Sequence, residues 1–141
     1  MVTPLGKKLG LRPGSKIIVI NAPPGYLQML GDLPAGAEIS SGTEGDTLED
    51  AAFDSVQVFL SSKDDADRLA PEALRLLAPD GLLWLAFPKK SSGLKTDISR
   101  DTGWDSLHNA GWEMVTLISV DDTWSAGRFR PSADIKSGKR Q

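Results

Sequence analysis

The chain has 141 residues, 40% of them apolar and 25% charged, with a formal charge of −3. That length suits one domain burying roughly two-thirds of its unfolded surface, and the charge supplies no broad field for gathering nucleic acid or anionic membrane. The absence of cysteine excludes disulfides, thiolate nucleophiles and cysteine zinc sites, and a lone histidine, His108, excludes a histidine-rich metal site.

Residues 1–14 are polar and basic and end in the turn signal Pro13-Gly14. Lys7 and Lys8 are followed by no apolar run, so no signal peptide is expected. The β-branched run KIIVI at 16–20 predicts a central strand covered on both faces. Asn21-Ala22-Pro23-Pro24-Gly25 turns the chain into YLQML, a short helix with Pro24 near its first turn. AEIS at 37–40 reads as a short strand, and 41–53 as a loop.

DSVQVFL at 54–60 predicts another strand. Ser61-Ser62 can cap the following helix, with Asp64 and Asp65 in its favoured first turn and Pro71 expected to interrupt or kink it. APDG at 78–81 closes that helix, and LLWLAF at 82–87 is a buried strand too short to cross a bilayer. A long polar loop, 88–101, leads to an amphipathic helix over 102–111 and a strand over 112–120. Asp121-Asp122-Thr123 turns the chain back into an antiparallel strand, WSAGRFR. Trp84, Trp104 and Trp112 are expected in or near the core. The expected organisation is a single Rossmann-like domain, 1–130, with a disordered basic tail, 131–141.

Strands alternating with helices imply right-handed crossovers and a mostly parallel sheet, so the fold class is a three-layer α/β sandwich with a C-terminal antiparallel hairpin. Ligands of such sheets bind outside the carboxyl ends of the strands. The loops expected on that rim carry Asn21, Gly25, Ser61, Ser62, Lys89, Lys90, Ser91, Ser92, Lys95, Asp121, Asp122 and nearby Trp124. KKSSGLK at 89–95 is the strongest ligand candidate: lysines, hydroxyls and a glycine-permitted turn can surround a phosphate or carboxylate. Its plainer alternative is a solvated surface loop. Asp121-Asp122 reads as a turn rather than a pair of acids, and Trp124 as cover for the sheet before a stacking platform. His108 reads as a half-exposed helix residue rather than a base, and no Gly-x-Ser-x-Gly elbow is present.

FDSVQVF, EALRLLAPDGLLWLAF and AGWEMVTLISV followed by a returning strand resemble the C-terminal half of class I S-adenosylmethionine-dependent methyltransferases. TPLGKKLGL, KIIVINAPPGY, FPKKSSGLKTDISRDTGW and DDTWSAGRFRP resemble a family of small bacterial proteins carried as a domain of unknown function. The methyltransferase resemblance implies a glycine-rich cofactor turn after the first strand and an acidic residue ending the second. Here two prolines occupy that turn, AEIS runs into Ser-Ser-Gly, and Glu44 lies in the loop beyond. Residues 21–53 are also too few for the two strands and three helices that a full class I fold places there.

Three functions follow as expectations for a cytoplasmic protein without a membrane partner or a nucleic-acid role. The first is a non-catalytic, cofactor-free module binding a small anion or a protein partner at the Lys89–Lys95 rim. The second is a reduced methyltransferase holding S-adenosylmethionine beside Asn21–Tyr26. The third is a homo-oligomer joined through a sheet edge near Ala37–Ser40.

Overall fold

The computed structural model describes residues 3–42 and 49–133. Glu44 and Asp46, and the tail residues Asp134, Lys136, Lys139 and Arg140, lie outside the described residues. The elements run α1 (Pro4–Lys8), β1 (Lys16–Ile20), α2 (Tyr26–Leu30), β2 (Glu38–Gly42), β3 (Phe53–Phe59), α3 (Lys63–Leu76), β4 (Leu77–Pro88), a 3-10 turn (Lys90–Ser92), α4 (Asp105–Asn109), β5 (Trp112–Ser119) and β6 (Trp124–Pro131).

The strands form one six-stranded sheet in the order β2-β1-β3-β4-β6-β5. β2, β1, β3 and β4 pair in parallel, and β6 is antiparallel to both β4 and β5. Every side chain of β1 after Lys16 is buried, as a strand covered on both faces requires. One face carries Ile18, Val56, Val58, Leu83 and Leu85 against α3 and Leu107 of α4. The other carries Ile17, Val19, Phe59, Trp84 and Ala86 against Leu9, Tyr26 and Leu30. The result is the expected three-layer Rossmann-like sandwich, and Trp84, Trp104 and Trp112 take the core or near-core places assigned to them.

Three local expectations change. The N-terminal segment contains α1, capped by Thr3, whose Oγ1 accepts the Gly6 amide and donates to the Leu30 carbonyl at 2.7 Å. Pro4 stands in its first turn, where no amide is needed. Gly31 holds this junction together, because at φ +68 a β-carbon would sit 2.5 Å from Thr3 Cγ2. Pro71 does not end α3: the bond that it cannot donate belongs to the carbonyl of exposed Asp67, which water can satisfy. Finally, β4 begins at Leu77, opposite Phe53, and residues 78–81 loop out before Leu82 rejoins the ladder beside Ser55. The turn signal in APDG is therefore a bulge within a strand, with Asp80 at φ +63.

Candidate functional site

The chain steps outward from β1 to β2 and then crosses back to β3, so strand order reverses between β1 and β3. Their carboxyl ends, Ile20 and Phe59, mark the place where open α/β sheets receive ligands. Asn21 leaves β1 at φ +59, a left-handed backbone that asparagine tolerates better than most side chains, and its amide donates to the Gly42 carbonyl at 3.0 Å. Gly25 precedes α2 at φ +84, and a β-carbon there would meet no atom within 4 Å. Tyr26 then drives α2 onto the sheet. Its ring packs edge-on against Phe59 at 4.7 Å, and its hydroxyl donates to Gln57 Oε1. Burial pushes the Tyr26 hydroxyl well above its ordinary pKa, so it stays protonated.

Between this turn and the end of β2 lies an open cleft of about 370 Å³, lined among others by Asn21, Gly25, Tyr26, Gln28, Ser41 and Gly42. Sequence reasoning placed Asn21 and Gly25 here. Ser41 and Gly42 escaped it because β2 extends two residues further than the apolar pattern suggests, through pairing of Ser41 with Val19 and Gly42 with Ile20. Where the resemblance leads one to expect a carboxylate at the end of β2, the described residues are Ser41 and Gly42.

The lysine loop lies on the same rim but spends much of its polarity on itself. The Lys89 amide donates to the Thr123 carbonyl at 2.7 Å, and Lys89 Nζ donates to Ser119 Oγ at 2.6 Å, which ties the β4 exit to the β5–β6 turn. Ser92 Oγ donates to the Lys89 carbonyl and accepts the Leu94 amide. Lys90, Ser91 and Lys95 are exposed, and Lys90 and Lys95 flank a shallow depression of about 400 Å³.

Beyond Lys95 the loop docks on the start of α3. Thr96 Oγ1 donates to the Ser61 carbonyl at 2.8 Å, and Asp97 Oδ1 accepts the Lys63 amide at 2.6 Å. The Ser61 amide is likewise taken by Asp65 Oδ2, and Ser62 Oγ accepts the Asp65 amide as the helix cap. The positive end of α3 therefore already faces carboxylates of this chain. No spacing rule in the sequence pointed to the Asp97 contact, which joins residues 34 apart.

Asp121 is a turn residue, as the sequence predicts: its Oδ1 accepts the amides of Thr123 and Trp124, both at 2.8 Å. Asp122 is exposed beside it. Trp124 packs edge-on against Phe59 with ring centres 5.1 Å apart, covering the sheet as expected. His108 is exposed on α4. The rim thus gathers Asn21, Gly25 and Ser61 near the switch point, and Lys89 to Lys95 with Asp122 farther along the sheet. Among the described residues no group of three or more potential metal ligands occurs, and no helix is long and apolar enough to cross a membrane.

Comparison with solved structures places this architecture. A SAM-dependent methyltransferase from Aquifex aeolicus superposes with a TM-score of 0.60 at 14% identity, covering 87% of this chain and 85% of that one. A TehB-like SAM-dependent methyltransferase from Corynebacterium glutamicum gives 0.57 at 15% identity, covering 89% and 85%. The [4+2]-cyclase SpnF gives 0.64 at 13% identity, covering 90% and 79%. No protein-family model and no curated protein sequence matches the chain. The fold is that of class I methyltransferases, in a shortened version: between β1 and β3 the described residues hold only α2 and β2.

Proposed function

We propose that this protein is a non-catalytic Rossmann-like binding module whose ligand sits at the carboxyl rim of the sheet, in the cleft between the Asn21–Tyr26 turn and the end of β2. The make-up of that cleft carries the reading. Asn21, Gln28 and Ser41 offer amide and hydroxyl groups that can orient a ligand, and Tyr26, the titratable side chain among the described lining residues, is buried and donates to Gln57. Such a lining binds without supplying an acid, a base or a nucleophile near neutral pH. Pro23 and Pro24 withhold two amides where a phosphate or carboxylate cradle would want them. Exposed Lys90 and Lys95 farther along the rim favour an anionic group on the ligand or an acidic partner surface.

S-adenosylmethionine is the second reading, favoured by the fold and by the open space at Gly25, which lets a ligand approach the turn closely. The fit is incomplete: the described end of β2 offers no carboxylate for a ribose, and about 370 Å³ is at the small end for a ligand pocket.

Thermal-shift and calorimetric titration with S-adenosylmethionine, S-adenosylhomocysteine, adenine nucleotides and sugar phosphates tests both. A ligand at one hundred times its Kd adds about 2.7 kcal/mol of stability, and Ser41→Trp, which fills the cleft from an exposed position, is expected to abolish the gain. Binding by none of these compounds at millimolar concentration would sink the cleft assignment. Turnover of S-adenosylmethionine to S-adenosylhomocysteine would overturn the non-catalytic reading in favour of the second.

A further inference from the structure

At the opposite end of the sheet, where the parallel strands begin and β6 finishes, three guanidinium groups lie near one another. Arg128 and Arg130 are two apart on β6 and share a face. Arg128 lies beside Trp84 of β4 and Thr116 of β5, and its Nε is buried with no hydrogen-bond partner. Arg12 reaches the same face from the segment after α1, which is laid across it by the bond from Trp84 Nε1 to the Leu9 carbonyl at 3.0 Å. None of the three arginines forms an ion pair among the described residues. Burial, reinforced by the positive charges of Arg130 and Arg12, pushes Arg128 below its ordinary pKa.

Two recesses open here, of about 310 and 480 Å³, and they share the wall Pro79-Asp80-Gly81. Arg12 lines the first and Arg128 and Arg130 the second. The first also holds Ser55, which is 2% exposed and whose Oγ has no partner. Carboxylates are near but committed or apart. Asp54 Oδ2 accepts the Lys16 amide at 2.9 Å, while Asp80 on the shared wall and Glu113, in register with Arg130, make no ion pair with the arginines.

A guanidinium held partly out of water with an unmet donor destabilises a fold unless an acceptor supplies the missing bond. Planar forks on three arginines match the oxygens and charge of a phosphate better than they match any group already present.

We propose that this amino-terminal end of the sheet is an anion site, in which Arg12, Arg128 and Arg130 hold the phosphate group of a soluble small molecule. It is separate from the rim cleft, and a molecule bound here would leave that cleft free.

The full chain is melted in increasing inorganic phosphate against chloride at equal ionic strength. Phosphate salts stabilise many proteins by exclusion from their surface, so the variants decide. The wild type is expected to show a saturable rise in Tm. Arg12→Gln, at an exposed position where folding is undisturbed, should move the midpoint of that rise about tenfold higher in phosphate, the loss of one charged hydrogen bond. Arg128→Met keeps the aliphatic stem, and should melt higher than the wild type in chloride and lose the saturable response. Equal, non-saturating rises in all three proteins would overturn the proposal. So would an Arg128→Met protein that melts lower than the wild type in chloride, because the guanidinium would then be satisfied within the fold.

Discussion

Tyr26 is the one tyrosine of the chain, so its ionisation can be read without interference from another phenol. It is 2% exposed, donates to Gln57 and forms the wall through which α2 supports the rim cleft. Burial holds its pKa well above the ordinary value near 10. The sign follows from proton binding. Above about pH 10 the unfolded chain releases the phenolic proton while the native protein keeps it, so the unfolded state binds fewer protons and stability falls. The loss is about 1.4 kcal/mol per pH unit once the unfolded group is ionised, and it is absent below that range.

Spectrophotometric titration of tyrosinate is the assay. The native protein should show no tyrosinate absorbance until well above the pH at which the denatured chain titrates. The stability slope should be read as a difference from Tyr26→Phe, which isolates the contribution of the phenol. That variant should itself be less stable by about 1–3 kcal/mol, since it leaves the Gln57 side chain, whose Nε2 already lacks a partner, with no hydrogen bond at all. Adding Gln57→Leu to it should recover part of that loss. A native protein whose Tyr26 titrates with an ordinary midpoint would refute the reasoning, because the hydroxyl would then be in water and α2 not packed as described.

Other contacts make equally specific demands. Gly31→Ala should lower stability by about 1–3 kcal/mol from its positive-φ, extended-ψ backbone alone, and by more from the clash with Thr3 Cγ2; Thr3→Ser, which keeps the cap but removes the methyl group, should relieve only the second part. Asp97→Ala should cost about 1 kcal/mol and speed amide hydrogen exchange at Lys63, whereas unchanged exchange there would show that the lysine loop does not dock on α3. Trp84→Phe should destabilise by about 1–3 kcal/mol, because the buried Leu9 carbonyl loses its donor; a neutral result would mean that water already reaches it.

Much of the architecture is legible in the amino-acid sequence itself. KIIVI has no polar face, so it must be covered on both sides, and the protein places it inside the sheet with Ile17 and Val19 against one layer and Ile18 and Ile20 against the other. Asp64 and Asp65 following Ser62 announce the start of α3, and Asp121 announces the hairpin, because each signal acts through a neighbour only a few residues away. The shortness of residues 21–53 already excluded the full complement of elements between β1 and β3. What escaped was decided by partners distant in sequence. α1 is a single turn that its own propensity cannot hold, and it forms because Thr3 bridges to Leu30.

The candidate site divides in the same way. Asn21 and Gly25 could be named from the sequence because a left-handed backbone and a turn after a buried strand are local facts. The role of Lys89 could not, since only the packing of β4 beside β6 brings its ammonium to Ser119. Asp97 at the start of α3 and the gathering of Arg12, Arg128 and Arg130 are likewise products of tertiary structure. Hydrophobic period and turn chemistry act over a few residues, and so the sequence by itself determined the layers, the strands and the direction of the rim. Charge and hydrogen bonding at the two ends of the sheet act across whatever the fold brings together, and only the tertiary structure decided which of the polar groups were already satisfied and which were left for a ligand.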